Sequence, residues 1–284
     1  MSDLTTPAVT HGNAGSSASV PGSSPAGGPA AGAAAHPGRP MGMPAGARTG
    51  GPATPVKRQY VSFLFYKLMP EFRRLPLEQQ RTMLDQFAAT VEGNDRQKMI
   101  LLSYSCVGTR ADVDIMFWRI AYELEDIQRF TAAINRLPIG GYLVTPHSFL
   151  AQTKRSTYID KLDPSHDESR TVIKPGKYKY VFVYPFVKKR EWYLLSKHTR
   201  QGVMDEHIEI GNKYQSVRLN TTYSFGLDDQ EFVVAFETEF PGDFLDLVQE
   251  LRESEGSRYT ERDTPIFTAV QMPVRELIKQ LADV

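Results

Sequence analysis

Two stretches of this chain repeat one order of residues, and the repeat limits the fold more than any other feature. Asp112-Val-Asp-Ile-Met-Phe-Trp118 precedes Asp126 by the interval that separates Asp229-Gln-Glu-Phe-Val-Val-Ala235 from Asp243. Asp126 and Asp243 each open a helical run, where a carboxylate complements the helix dipole. The first half starts with Tyr60–Leu68, which reads as a buried strand. Pro76 opens a helix at its first turn; Leu77, Leu84, Phe87, Ala88 and Val91 form its apolar stripe, and Gly93 ends it. Met99–Val107 and Asp112–Ile120 read as strands. In the second, Asp112, Asp114 and Met116 alternate against Val113, Ile115 and Phe117. A helix over Glu125–Leu137 and a strand over Gly141–Gln152 complete the half.

The second half repeats that order. A strand at Tyr178–Phe186 leads to a helix carrying His207, strands at Gln215–Ser224 and Glu231–Glu237, a helix at Asp243–Arg252 and a strand at Pro265–Met272. Each half is β-α-β-β-α-β, the ferredoxin-like unit, so the fold class is α+β. A sheet with helices on one face has an apolar second face. Packing two such sheets face to face, or closing them into a barrel, buries it.

The predicted boundaries are a tail over 1–56, an N-terminal half over 57–158, a linker over 159–177 and a C-terminal half over 178–284. The tail is Ala, Gly, Pro, Ser and Thr; the first aromatic residue of the chain is Tyr60. Such a segment buries too little apolar surface to offset its ordering entropy, so disorder is expected and His11 and His36 are not ligands. Lys plus Arg and Asp plus Glu both number 33. That balance gives no reason to expect a nucleic acid or membrane partner. The single cysteine, Cys106, excludes an intramolecular disulfide and reads as a small core residue. No secretory signal pattern and no spanning apolar run are seen, so a cytoplasmic protein is expected.

The chemistry concentrates in Tyr184-Pro-Phe-Val-Lys-Lys-Arg-Glu-Trp-Tyr193 and the helix that follows. Ser196 suits an N-cap and Gly211 a C′ position. Val203, Met204 and Ile208 share the helix face of His207. The residues alone leave two readings of His207: a core histidine satisfied by a carbonyl, or a ligand. A neutral imidazole, a tyrosine and cations converging on an apolar cavity would suit an iron porphyrin with carboxylate arms.

YPFVKKREWYLL, MDEH, YQSVRLNTTYSFGLDDQEFVVAFE and RYTERDTPIFT, in that order, resemble the chlorite dismutase-like superfamily. Within it they look most like the coproheme decarboxylases, the hydrogen-peroxide-dependent haem synthases. The resemblance is close over Tyr180–Phe267 and loose over Tyr60–Ile159. It implies a dimeric α+β barrel within one chain, haem in the C-terminal half, and a homopentamer. It also implies His207 as the proximal iron ligand, with Glu255 accepting the other ring proton, and Trp192 packing under the macrocycle. Tyr184 matches a radical relay. Lys188, four residues on and on the same strand face, would neutralise a propionate.

Chlorite chemistry in this superfamily needs a distal arginine. Counting back from Gly226 puts Leu219 at that position, and alternation turns the adjacent Arg218 to the other face. One branch instead uses a distal histidine from the linker, and His166 lies near that place. His147 and His198 read as surface residues. The expected reaction takes iron coproporphyrin III and hydrogen peroxide to haem b by two oxidative decarboxylations. The rival readings are a chlorite dismutase and a non-enzymatic haem-binding protein.

Overall fold

The computed structural model describes residues 57–158 and 172–282. The tail, His166 and most of the 159–177 linker lie outside the described residues. The first half comprises β1 (Tyr60–Leu68), α1 (Leu77–Glu92), β2 (Met99–Ser105), β3 (Ile115–Ala121), α2 (Leu124–Asn135) and β4 (Leu143–Gln152). The second comprises β5 (Tyr180–Lys188), α3 (Arg190–Leu194), α4 (Lys197–Lys213), β6 (Arg218–Tyr223), β7 (Phe232–Thr238) and α5 (Pro241–Glu253). It ends with β8 (Thr260–Arg262), β9 (Phe267–Gln271) and α6 (Val274–Ile278). The offset seen in sequence holds in space: it relates Ile115 to Phe232, Ala121 to Thr238 and Leu124 to Pro241, the bounds of β3 against β7 and the starts of α2 and α5.

The strands of the first half lie in the order β4-β1-β3-β2, and those of the second in the order β6-β7-β5-β9. Two seams join them. Tyr104 and Ser105 of β2 pair with Gln271 and Val270 of β9, and Gln152 of β4 pairs with Tyr223 of β6. The ring of antiparallel strands therefore closes, and β8 lies on the edge of β5. The chain adopts the barrel that the resemblance implied, not two sheets packed face to face, and closure removes exposed sheet edges.

Each strand divides its side chains between two cores. Val61, Phe63, Phe65, Trp118, Val181, Val183, Val233 and Ala235 fill the barrel. Leu64 and Phe117 face outward under α1 and α2, against Leu84, Phe87 and Phe130. Phe182, Tyr184, Val234 and Phe236 face outward in the second half, against Ile210, Phe244 and Leu247. Phe182 stacks on Phe244 with ring centroids 4.0 Å apart. Truncating such a buried ring to alanine costs about 3–5 kcal/mol.

Several local expectations change. β3 starts at Ile115 and is buried throughout, because helices cover one face and the barrel the other. Asp114 precedes it and accepts bonds from Lys67 Nζ at 2.8 Å and from the Leu68 N–H at 2.9 Å. Leu77, assigned to the apolar stripe of α1, is 42% exposed. Gly211 does not end α4, which runs on to Lys213 and closes at Tyr214. Ser196 does cap it, accepting the Thr199 N–H at 3.1 Å. Cys106 is buried, and burial pushes its thiol up to about 12, as an inert core residue requires.

Candidate functional site

The outward face of the C-terminal sheet is aromatic. β5 contributes Tyr180, Phe182, Tyr184 and Phe186; β7 contributes Val234 and Phe236. Register adds Leu219 of β6, which lies opposite Phe236, as Tyr184 lies opposite Val234. Paired residues on adjacent strands share a face. One end of this face is sealed by Phe244, Leu247 and Ile210, whereas Leu219 is 46% exposed.

Val203, His207 and Ile210 are spaced four and three residues apart, so they line one side of α4. A one-turn segment at Glu255–Tyr259 packs on that side. A Cβ built on Gly256 would meet Val203 Cγ1 at 3.7 Å and His207 Nδ1 at 3.8 Å. His207 is half-buried at the edge of the face, with protein on its inner side. Burial pushes its pKa down to about 4, and the Lys188 ammonium adds to the shift. The ring is therefore neutral at physiological pH and offers a lone pair to a metal.

Lys188 closes β5. Its Nζ donates to the Gly256 carbonyl at 3.2 Å and lies 4.7 Å above the Trp192 ring and 5.2 Å from the Phe186 ring. Burial lowers its pKa to about 8, opposed by the Glu231 carboxylate. At neutral pH it is still a cation, held among aromatic rings. Trp192 is 2% exposed and sits on α3, a helical turn that the sequence did not reveal. Its ring packs on Tyr259 at 5.3 Å.

Tyr184 is buried and stacks on Phe236 with centroids 6.0 Å apart. Burial drives its phenol pKa well up; Asp263 adds to this and Arg252, paired with Asp263, opposes it. The phenol keeps its proton at any physiological pH. Arg218 lies opposite Glu237 in an unbroken β6–β7 register, so it does not share the Leu219 face. Glu237 itself is buried, accepting from Asn220 at 3.0 Å and from the Gly176 N–H at 2.6 Å.

Two sequence expectations meet a different arrangement. Glu255 has an exposed side chain, and its backbone N–H donates to the Glu206 carboxylate at 2.9 Å. Gly256 is the residue of that turn that abuts the imidazole. His147 is half-buried, 2.7 Å from Asp112 Oδ2, with its ring 5.0 Å from that of Phe267. It belongs to a polar cluster near Phe267 because β4 pairs it with Phe65. The structure therefore brings together Lys188, Trp192 and His207, with Tyr184 and Leu219 on the adjoining sheet face. His198 is exposed, as expected. Sequence reasoning missed Gly256 and Glu231; neither has a signal beyond its place in the resembling segments.

The Lys188 ammonium carries a stability cost that can be measured. Its folded pKa lies below the ordinary 10.5, so the penalty is absent above that pH, grows as pH falls toward about 8, and is complete below. Lys188→Met should stabilise the ligand-free protein at pH 7 by on the order of 1 kcal/mol, about 2–4 °C in Tm. The gain should shrink toward pH 10. Thermal unfolding at both pH values checks it; equal or negative shifts would show that the carbonyl bond and ring contacts fully compensate the charge.

A closed α+β barrel of two repeats, with an aromatic outward face on its C-terminal sheet and a neutral histidine and a half-buried cation meeting at one turn, defines a protein of the chlorite dismutase fold. The chain belongs to the chlorite dismutase family, whose pattern matches residues 80–272. It is 31% identical over 206 residues to the coproheme decarboxylase of Mycolicibacterium smegmatis, spanning 72% of this chain and 87% of that relative. It is 28% identical over 230 residues to the chlorite dismutase of Ideonella dechloratans, spanning 78% and 80%. Among solved structures, the chlorite dismutase of Candidatus Nitrospira defluvii in complex with imidazole superposes with a TM-score of 0.70 at 27% identity, covering 78% of this chain and 94% of that one.

Proposed function

We propose that this protein is a coproheme decarboxylase, converting iron coproporphyrin III to haem b with hydrogen peroxide. The observation that carries the reading is the convergence of the Lys188 ammonium, the Trp192 ring and the His207 imidazole at the Gly256 turn, at the end of the strand that bears Tyr184. Those donors fit an iron porphyrin: His207 for the metal, Trp192 and the aromatic sheet face for the macrocycle, Lys188 for a propionate. When bound, the iron porphyrin supplies the oxidising power of peroxide.

The chain's residues supply the rest. Lys188 orients a propionate and offsets its charge. Tyr184, oxidised by one electron with loss of its phenolic proton, takes a hydrogen atom from the propionate carbon next to the ring. Losing one more electron, that side chain releases its carboxylate as carbon dioxide and becomes a vinyl group. Each propionate thus gives up two electrons and a proton; one peroxide accepts them together with one further proton from solvent, yielding two waters. His166, in the linker, is the proposed base toward peroxide. Leu219 leaves no cation at the position that chlorite chemistry uses.

The reading includes a cytoplasmic homopentamer without nucleic acid or membrane partners. Among the described residues, no helix is long and apolar enough to cross a membrane. Mass spectrometry of the protein loaded with iron coproporphyrin III and titrated with peroxide tests it. Two successive losses of carbon dioxide plus two hydrogens are expected, through a three-propionate intermediate. Rapid release of dioxygen from chlorite, with no decarboxylation, would overturn the assignment in favour of a dismutase.

A further inference from the structure

An acid outside the expected set of site residues ties the site together. Glu231 lies in the turn before β7. Its Oε2 accepts the backbone N–H of Lys188 at 2.8 Å and also the hydroxyl of Tyr193. Its own backbone N–H donates to the Phe186 carbonyl at 3.3 Å. One half-buried carboxylate therefore joins the turn before β7, the end of β5 and the helix α3.

We infer that Glu231 is the positioning residue for Lys188: by clamping the junction between β5 and α3, it holds the Lys188 ammonium over Trp192 and against Gly256. The inference rests on the reading of Lys188 as the cation that receives a substrate carboxylate. A lysine side chain has much rotamer freedom to lose, and a single carbonyl and two ring faces are weak restraints on it. A fixed backbone at its root narrows that freedom before any ligand arrives. The clamp is strong because hydrogen bonds to an ionised carboxylate are roughly twice as strong as neutral ones. Tyr193 belongs to the clamp: its phenol donates to the same oxygen, and its ring packs edge-on against Phe225 at 6.0 Å. Glu231 also acts on the ammonium through its charge, opposing the drop in the Lys188 pKa that burial causes; its hydrogen bonds go to the Lys188 backbone and to Tyr193.

The first test needs no porphyrin. The chain has two tryptophans, and the other, Trp118, lies buried in the barrel. Trp192 fluorescence and near-UV circular dichroism of the ligand-free protein therefore report the ammonium over its ring. Lys188→Ala defines the signal when the ammonium is gone. Glu231→Ala should reproduce that signal, the double variant should add nothing, and Glu231→Gln, which keeps an acceptor oxygen, should return most of it. Tyr193→Phe, a milder change should Glu231→Ala fail to fold, should move the signal part of the way. An unchanged Trp192 signal in folded Glu231→Ala, or full additivity with Lys188→Ala, would overturn the inference.

The second test is affinity for iron coproporphyrin III. Glu231→Ala and Lys188→Ala should each weaken it by about tenfold, and the double variant by no more. If Lys188→Ala leaves affinity and turnover unchanged while Glu231→Ala still moves the Trp192 signal, the positioning stands and the proposed role of Lys188 falls.

Discussion

Tyr184→Phe is expected to fold, to bind iron coproporphyrin III, and to release no carbon dioxide from it. The ring remains stacked on Phe236 within the apolar cluster, so packing is kept. Only a hydroxyl is lost, a change of about 1 kcal/mol if it is hydrogen-bonded. His207 lies on α4 and Lys188 at the end of β5, four residues beyond Tyr184, and both keep their contacts to the Gly256 turn. The relay, however, is gone. Phenylalanine has no phenolic hydrogen to give up and is far harder to oxidise, so the oxidising equivalent has no path to a propionate carbon at the porphyrin edge. Peroxide should then be consumed in bleaching the macrocycle. Chromatography of the porphyrin after stoichiometric peroxide checks this. Haem b formed at near the wild-type rate would make Tyr184 a packing residue and shift attention to Tyr193 or Tyr223.

His207→Ala should lose its hold on the iron porphyrin. Val203 and Ile210, the buried residues of α4, keep the helix docked, so the fold should survive. The loss of affinity should reach about a hundredfold or more, roughly 3 kcal/mol, with loss of the five-coordinate absorption and resonance Raman signature. A ligand-free readout accompanies it. The folded pKa of His207, about 4, lies below its ordinary 6.5, so the fold favours the neutral ring. That contribution is present above pH 6.5 and is lost as pH falls toward 4. His207→Ala should therefore flatten this part of the stability profile. Spectra that match wild type would show that another residue holds the iron.

The difference between Glu255 and Gly256 shows where linear reasoning reaches its end. The segment around Arg252–Arg258, to which the resemblance points, packs against α4. Which residue of the turn faces the imidazole is a matter of backbone path: the chain leaves α5 at Ser254 and winds so that Gly256 comes inward and Glu255 outward. No local propensity encodes that rotation. His147 makes the same point from another direction. In sequence it is a polar residue after Thr-Pro; in the barrel, pairing of β4 with β1 carries it to Phe65, Phe267 and Asp112.

Lys188 and Tyr184 shared a strand face by simple alternation, yet the strand ends there through a register shift, and α3 follows at once. The ammonium finds its place through Trp192 and the Gly256 carbonyl, contacts made across segments distant in sequence. The same holds for Glu231, whose partners lie more than a full element away.

The sequence by itself determined the repeat, the β-α-β-β-α-β order of each half, and the placing of His207 on the apolar side of a Ser196-capped helix. These follow from periodicity, capping and side-chain size, which act over a few residues. Only the tertiary structure decided that the two sheets close into a barrel through two short seams, that Gly256 rather than Glu255 meets the histidine, and that Glu231 clamps the junction bearing Lys188. Those outcomes depend on strand pairing between halves and on loop paths that bring remote groups to within hydrogen-bond distance, and such contacts have no period along the chain.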